Sequence, residues 1–230
     1  MQTLFFVACG LMLAYTAYKT QRVDAVTVGL KMACSTAFLS IPILGGALSP
    51  EWGYAHYVFL GLLLAFWGDL FLELKLRHPQ QDAAYSYLGF GCFILTHVCY
   101  LLALAVAFQP AVSLWALAGL ASLVIVGFVL ATERPMGLDY GRFRPITLVY
   151  TAVLGGSFAL SALLAWDRPI LVPGQMLFVW GIVLFLVSDL ALSQLYFGPP
   201  RWVKSHIVVN CLTYYTGQFA IAYSTVLWLS

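Results

Sequence analysis

Long apolar segments cover almost the whole chain, and short breaks containing polar residues or proline separate them. About twenty consecutive apolar residues are enough for an α-helix to cross the hydrocarbon core of a bilayer. The pattern predicts an all-α, polytopic transmembrane bundle of eight helices, at approximately residues 3–18, 25–48, 55–74, 86–107, 111–131, 145–165, 172–197 and 203–229. Because the breaks are short, we expect residues 1–230 to form a single integral-membrane domain.

The composition supports a membrane protein, since the chain is 62% hydrophobic and only 9% charged. A soluble domain carries roughly a quarter charged residues, so this chain has too few to cover a water-facing surface. The net charge of +2 gives no indication of a nucleic-acid partner. All five cysteines lie in apolar segments and form no C-x-x-C pair, so we expect packed thiols and neither disulfides nor zinc ligands: Cys9, Cys34, Cys92, Cys99 and Cys211.

The basic residues indicate an orientation in the membrane. Nine of the eleven Lys and Arg residues follow the first, third, fifth and seventh helices, whereas only Arg168 lies in the other loops and Lys31 lies within helix 2. Cytoplasmic loops are enriched in Lys and Arg, so both termini are predicted to be extracytoplasmic. The first segment has no preceding basic residue and no following A-x-A site, so we expect a retained helix. The minimal loops favour a bacterial inner (plasma) membrane.

Two aspartates occupy similar contexts on helices that run in the same direction. Asp69 follows Gly68 in helix 3, Asp189 follows Ser188 in helix 7, and leucine follows both aspartates. A carboxylate at membrane depth is costly and usually marks a functional site, although a polar tie between helices is the alternative. Glu73 shares the helix face of Asp69. Two interpretations of Glu73 stay open, a role in the site and a position at a solvated helix end.

Further polar residues are predicted between the cytoplasmic edge and the midplane, at a similar depth. They are Lys31 in helix 2, His97 in helix 4, Thr147, Tyr150, Thr151 and Ser157 in helix 6, and Asn210, Tyr214, Tyr215 and Gln218 in helix 8. This agreement in depth predicts one polar cavity in the cytoplasmic half that holds both aspartates. Lys31 can equally extend to the membrane surface, and His97 can equally be a hydrogen-bonded core residue. The histidines form no H-x-x-x-H pattern, so we expect no metal site.

These residues resemble the YhhN-like lysoplasmalogenases, a family of eight-helix membrane proteins. Four short motifs in the same order carry the resemblance: Lys31 in helix 2, Gly68-Asp69-Leu70 in helix 3, Ser188-Asp189-Leu190-Ala191-Leu192 in helix 7 and Tyr214-Tyr215-Thr216-Gly217-Gln218 in helix 8. The stretch from Gly89 to Tyr100, which contains His97, is also similar. The chain departs from the family pattern at Met32, where proline usually follows the lysine, and at Gly217, where alanine is usual.

The resemblance implies hydrolysis of the vinyl-ether bond of lysoplasmalogens (lysoplasmenylethanolamine or lysoplasmenylcholine). The products are a fatty aldehyde and a glycerophospho-base, and the reaction uses no metal or organic cofactor. The resemblance also implies that Asp69 and Asp189 are the catalytic pair. The partners would then be a lysophospholipid substrate and the surrounding membrane lipids.

Paired carboxyl groups suit this reaction on chemical grounds alone. Protonation of the β-carbon of a vinyl ether gives an oxocarbenium ion, to which water adds before the hemiacetal collapses. One protonated carboxyl group can act as the acid and one carboxylate as the base or stabiliser, as in glycoside hydrolysis. The residues alone do not decide which aspartate has which role. We expect the substrate-binding residues to be Lys31, Glu73, His97, Tyr214, Tyr215 and Gln218, with Lys31 attracting the phosphate.

The similar contexts of Asp69 and Asp189 would fit two parallel four-helix halves. A proton-coupled transporter of a small amphiphile is the main alternative, because carriers also contain intramembrane carboxylates and parallel repeats. The polar residues gather on one side of the membrane and do not follow a path through it, which favours the hydrolase. A metal-dependent hydrolase is disfavoured by the lack of a His cluster. A lipid-binding protein without chemistry is a further alternative.

Overall fold

The computed structural model of the protein describes residues 2–167, 172–199 and 203–228. These residues form eight α-helices: α1 (Gln2–Lys19), α2 (Ala25–Leu44), α3 (Tyr54–Arg77), α4 (Asp82–Phe108), α5 (Val112–Glu133), α6 (Arg144–Asp167), α7 (Pro173–Phe197) and α8 (Lys204–Leu227). Short 3₁₀ helices, Pro79–Gln81 and Gly141–Phe143, precede α4 and α6. The all-α fold and the helix order confirm the prediction. Arg168, Arg201 and the predicted end of the eighth helix at residue 229 lie outside the described residues.

Six of the described helices, α2 to α7, are long and apolar enough to cross a membrane. This is the composition of a multi-pass membrane protein. α8 carries several polar side chains on its buried face, among them Tyr214, Gln218 and Ser224. The crossing of the membrane by all eight helices and the extracytoplasmic position of both termini stay predictions.

Local chemistry explains where α2 begins and ends. The side chain of Asp24 accepts hydrogen bonds from the backbone N–H groups of Val26 (2.9 Å) and Thr27 (3.2 Å), and Thr27 Oγ1 accepts one from the Asp24 N–H (2.9 Å). This reciprocal cap satisfies N–H groups that the first helical turn leaves unpaired. The helix ends at Leu44, before the predicted residue 48, because the chain turns at Gly46 with a φ of +67°.

Two helix hairpins, α3 with α4 and α7 with α8, make the most extensive contacts in the bundle. A Cβ atom at Gly68 would lie 2.8 Å from the Phe93 ring of α4, and one at Gly217 would lie 2.8 Å from the Gly181 carbonyl oxygen of α7. Atoms do not approach so closely, so these glycines permit the observed helix separation. The small residue before Asp69 therefore has a packing role, and so does Gly217 where the chain departs from the family pattern.

The chain can be divided into two halves of four helices, α1–α4 and α5–α8, whose main contacts correspond except at the first helix of each half. α2 packs against α3 and α8, and α6 packs against α7 and α4 in the equivalent way. α1 packs against both α2 and α8, whereas α5 packs mainly against α6. The buried residues of α5 are Ala118 and Ser122, so most of this helix faces away from the bundle. A groove near Asp189 remains between α5, α6 and α7.

Candidate functional site

Four charged side chains from three helices form a buried cluster, which we call the charge cluster. Lys19 of α1 and Lys31 of α2 face Asp69 and Glu73 of α3, and their exposed fractions are 6%, 8%, 1% and 0%. Lys19 Nζ lies 2.7 Å from Glu73 Oε2, and Lys31 Nζ lies 3.3 Å from Asp69 Oδ1 and 3.5 Å from Glu73 Oε2. Two ammonium groups balance two carboxylates, and this mutual compensation permits their burial.

The second carboxylate oxygen of Asp69 accepts two further hydrogen bonds. Ser35 Oγ donates to Asp69 Oδ2 at 2.7 Å, and Tyr214 OH donates to the same oxygen at 2.8 Å. Ser35 comes four residues after Lys31, so a single face of α2 supplies both a hydroxyl group and an ammonium group. Hydrogen-bond donors and a cation surround Asp69, an arrangement that stabilises a carboxylate.

A row of hydrogen bonds continues from Asp69 through α8 to α4. Gln218 Nε2 donates to Tyr214 OH at 3.2 Å, and Tyr100 OH donates to Gln218 Oε1 at 3.0 Å. Because the Tyr214 hydroxyl accepts from Gln218, its own proton is directed at Asp69. Gln218 therefore orients Tyr214 from behind.

Asp189 has a different environment from Asp69. Its Oδ2 atom accepts a hydrogen bond from Tyr150 OH of α6. In the part of the chain that the structure describes, no Lys, Arg or His forms an ion pair with Asp189. The adjacent Ser188 is held by Asn210 of α8, whose Nδ2 donates to the Ser188 carbonyl at 3.1 Å. Asp189 is thus positioned by its neighbours, and the described residues give it no cation like the one that Asp69 has.

Asp69 and Asp189 line one small cavity, which we call the acid cavity. Its volume is about 40 Å³, measured as the space that the centres of water molecules can occupy. A single water needs about 10–15 Å³ on this measure, so the cavity can hold a few waters. The structure therefore brings the two predicted aspartates together. The other polar residues of the wall are Lys19, Lys31, Tyr150, Ser188, Tyr196, Asn210 and Tyr214.

A larger and mostly apolar groove adjoins the acid cavity. This apolar groove, of about 240 Å³, lies between α5, α6 and α7. Its walls include Val129 of α5, Leu154 of α6 and Leu186 of α7. Asp189 and Tyr150 line both the apolar groove and the acid cavity. An apolar chain in the groove would therefore end beside the Asp189 carboxyl group.

A third cavity, the loop pocket, lies where the α3–α4 and α5–α6 connections meet the end of α7. Its volume is about 580 Å³, and charged and aromatic side chains line it. Tyr196 lines the loop pocket, the acid cavity and the apolar groove. The three cavities are therefore adjacent.

Glu73 and Tyr215, both predicted to bind substrate, lie outside the three cavities. Glu73 is completely buried and accepts hydrogen bonds from Lys19 and Tyr15, so it does not occupy a solvated helix end. Tyr215 OH donates to the Lys31 carbonyl oxygen at 3.4 Å. The structure places both residues behind Lys31, where they can position it.

His97 also lies outside the three cavities. Its Nδ1 is 3.0 Å from Ser157 Oγ, and its ring packs edge-on against Phe185 with centroids 4.8 Å apart. Its Nε2 is buried without a hydrogen-bond partner among the described residues. Of the predicted site residues, the structure brings Lys31 and Tyr214 to the acid cavity with the aspartates and does not bring His97 there.

Sequence reasoning did not select Lys19 or Ser35 for the site, and it placed Tyr150 at the depth of the cavity without pairing it with Asp189. Ser35 was detectable, because it lies one helical turn after Lys31. Tyr150 was one of several polar residues in α6, and no local pattern links it to Asp189. Lys19 is the last residue of α1, and a basic residue at a helix end is also expected as a cytoplasmic orientation signal. The sequence alone therefore gave no reason to pair Lys19 with Glu73.

The site combines a carboxylate with a cationic partner, a second carboxyl group without one, and room for water beside an apolar groove. It can therefore support proton transfer to and from a molecule with a long apolar chain. Among the described residues, no group of three or more His, Cys, Asp or Glu side chains is placed to hold a metal ion.

These features define a multi-pass helical membrane protein with two aspartates at the junction of a polar cavity and an apolar groove. The model of the YhhN family matches residues 26–225 of the 230-residue chain. The chain therefore belongs to the YhhN family, which confirms the resemblance of its motifs. The match begins within α2, so α1 and Lys19 lie outside it. No curated protein and no solved structure matches the chain.

Proposed function

We propose that the protein hydrolyses the vinyl-ether bond of lysoplasmalogens to a fatty aldehyde and a glycerophospho-base. Membership of the YhhN family is consistent with this activity. The observation that carries the proposal is the position of Asp189, which lines both the acid cavity and the apolar groove. In the substrate, the vinyl ether is the junction between the apolar chain and the polar glycerol. A chain in the groove would place that junction beside Asp189.

The environments of the two aspartates support a different role for each. Asp69 is paired with Lys31 and accepts hydrogen bonds from Ser35 and Tyr214, so it serves as the carboxylate. Asp189 has the Tyr150 hydroxyl as its partner and forms no ion pair within the described residues. A charge that has neither a cation nor bulk water beside it is strongly disfavoured, so Asp189 is the protonated acid.

The reaction proceeds in three steps. Asp189 transfers its proton to the β-carbon, the π electrons of the C=C bond form the new C–H bond, and an oxocarbenium ion results. A water from the acid cavity adds to the cationic carbon while Asp69 accepts a proton from it, which gives a hemiacetal. The bond from this carbon to the glycerol oxygen then breaks, Asp69 protonates that oxygen, and Asp189 takes the hemiacetal hydroxyl proton. Both residues return to their starting states.

The test is the release of fatty aldehyde from lysoplasmenylethanolamine by detergent-purified protein in the presence of EDTA. Wild type is compared with Asp69→Asn, Asp189→Asn and the control Asp167→Asn, at the exposed end of α6 and outside the three cavities. We expect both site variants to lose activity by about 10²–10⁴-fold and the control to keep it. In D₂O, the aldehyde should carry one deuterium on the carbon next to its carbonyl, because Asp189 delivers an exchangeable proton there.

Each result has a defined meaning when circular dichroism shows that the proteins are folded. Absence of aldehyde from wild type would exclude lysoplasmalogenase activity, and uptake of the lysolipid into sealed vesicles would then support the transporter alternative. Equal aldehyde release by all four proteins would keep the activity and exclude the two-aspartate mechanism. Loss of aldehyde release in only one of the variants Asp69→Asn and Asp189→Asn would show that the reaction does not require both aspartates.

A further inference from the structure

We propose that the loop pocket binds a zwitterionic phosphate head group of a lysolipid. Its charged lining consists of two cations, Lys75 and Arg142, and two carboxylates, Asp82 and Asp139. Equal numbers of the two signs suit a ligand that carries one anionic phosphate and one cationic amine. This inference rests on the proposed function for the apolar part of the ligand and adds a site for its polar part.

The cationic side of the loop pocket is organised by Asp82. Lys75 Nζ lies 3.4 Å from Asp82 Oδ1, and Arg142 Nη2 lies 3.1 Å from Asp82 Oδ2. One carboxylate therefore draws together two cations, one from the last turn of α3 and one from the α5–α6 connection. The Arg142 side chain is 60% exposed, so its planar guanidinium presents further N–H groups to the pocket and to solvent. Phosphate oxygens are the ligands that suit such a group.

The Asp139 carboxylate and the aromatic rings of the loop pocket suit an amine. Asp139 is exposed, and its Oδ1 accepts a hydrogen bond from the Gly141 N–H at 2.9 Å, within a turn where Gly141 adopts a φ of +46°. The turn fixes the carboxylate, and its second oxygen accepts no hydrogen bond from the residues that the structure describes, so that oxygen is available to a ligand. Aromatic rings lie alongside, and Lys75 Nζ sits 3.8 Å from the centroid of the Tyr196 ring. This contact shows that an aromatic face of the pocket accepts a cation.

The position of the loop pocket matches the geometry of a lysolipid. Leu76 and Leu195 line both the loop pocket and the acid cavity, and Tyr196 also reaches the apolar groove. A head group in the loop pocket would therefore place the glycerol end of the molecule towards the two aspartates. The apolar chain would continue into the groove between α5, α6 and α7.

The experiment measures binding and does not depend on turnover. The probes are 1-O-alkyl lysophosphatidylethanolamine, whose ether bond is not a vinyl ether, and the 1-O-alkylglycerol of the same chain length. We expect wild type to bind the zwitterionic lysolipid about tenfold more tightly than the alkylglycerol. Arg142→Ala and Asp139→Asn should each weaken lysolipid binding by about threefold to tenfold and leave alkylglycerol binding unchanged. The control is Arg77→Ala, an exposed residue at the end of α3 outside the pocket, which should change neither.

Several results would overturn the inference. Equal affinity of wild type for the two probes would show that no head-group site exists. Equal weakening by Arg77→Ala and Arg142→Ala would show a general charge effect and no specific pocket. Soluble glycerophosphoethanolamine should compete with the lysolipid, whereas equally strong competition by inorganic phosphate would indicate a simple anion site. Arg142→Lys, which keeps the charge, should retain part of the preference if the variant proteins are folded.

The binding result and the aldehyde assay separate the two proposals. Head-group preference in a wild-type protein that releases no aldehyde would support the loop pocket and exclude lysoplasmalogenase activity. Aldehyde release without head-group preference would support the activity and exclude the pocket as the head-group site.

Discussion

Replacement of Lys19 tests how the charge cluster supports Asp69. Lys19→Met keeps an unbranched side chain but removes an ammonium group that lies 2.7 Å from Glu73 Oε2 and 2.7 Å from Tyr15 OH. Lys31 must then balance two carboxylates. Because Lys31 Nζ is 3.5 Å from Glu73 and 3.3 Å from Asp69 in the intact cluster, we expect it to move towards Glu73 and to bind Asp69 less well.

The distances give the magnitude of the effect. With an effective dielectric constant of about 20, Coulomb attraction across the 2.7 Å between Lys19 and Glu73 is about 6 kcal/mol. Desolvation offsets much of this attraction, and removal of one partner from a buried pair costs about 3–5 kcal/mol. We expect Lys19→Met to lower the free energy of unfolding by about 3 kcal/mol, and Glu73→Gln to have a similar effect because two lysines then share Asp69.

The double variant Lys19→Met/Glu73→Gln removes both charges and keeps the pair of Lys31 with Asp69. Its loss of stability should be smaller than the sum of the two single losses by about 2 kcal/mol or more. The assay is a double-mutant cycle of unfolding in detergent, followed as helix content during titration with a denaturing detergent. The double variant should also release more aldehyde than Lys19→Met, because Lys31 then returns to Asp69.

Additive losses, within about 0.5 kcal/mol, would refute this account of the cluster. The matched control is Lys204→Met, at the exposed first residue of α8, which should change stability by less than about 0.5 kcal/mol. A double variant that is stable but as inactive as Lys19→Met would show that Lys19 contributes to the reaction in some way other than by holding Lys31 in position.

Three further predictions follow from the packing, the capping and the groove. Gly217→Ala should lower the thermal stability of the protein, because the new Cβ atom would lie 2.8 Å from a carbonyl oxygen of α7. Gly119→Ala is the control and should not lower it, because the space around Gly119 is open. Loss of stability in both variants, or in neither, would contradict this prediction. The hydrogen bond that Tyr18 donates lowers the pKa of Asp24, which caps α2. The ionised Asp24 side chain therefore stabilises the fold fully at a pH above its unfolded pKa of about 3.9. This stabilisation is lost as the pH falls through the lower pKa of the folded state. The Tm difference between wild type and Asp24→Ala should therefore shrink in acid, and a constant difference would count against the cap. Val129→Trp should narrow the apolar groove and shift aldehyde release towards shorter chains, and an unchanged chain-length profile would place the chain elsewhere.

The two aspartates could be selected from the sequence because the cost of a carboxylate in a membrane is a local property. Any Asp within a long apolar helix needs an explanation, whatever its partners are. The same reasoning selected His97, whose predicted depth resembles that of the aspartates. Its side chain nevertheless packs between α6 and α7, with Ser157 and Phe185 as neighbours. Depth specifies a layer of the bundle, and the direction of a side chain within that layer depends on the packing of the helices.

The partners of the aspartates show where sequence reasoning ends. Ser35 belongs to the same helix face as Lys31, so helical periodicity alone makes it a candidate. Tyr150 reaches Asp189 from a different helix, and Lys19 reaches Glu73 across 54 residues of chain. Such pairs require the order and rotation of the helices, which no short stretch of sequence contains.

The sequence by itself determined the helices, their order and the presence of two carboxylates among apolar residues. Each of these follows from hydrophobic periodicity, turn residues and the energy of charge in an apolar medium, which act over neighbouring residues. Only the tertiary structure decided that Lys31 compensates Asp69 and that Asp189 has a tyrosine in place of a cation. It also decided that an apolar groove between α5, α6 and α7 opens beside Asp189. These outcomes depend on contacts between distant helices, and the geometry of such contacts is a property of the whole bundle.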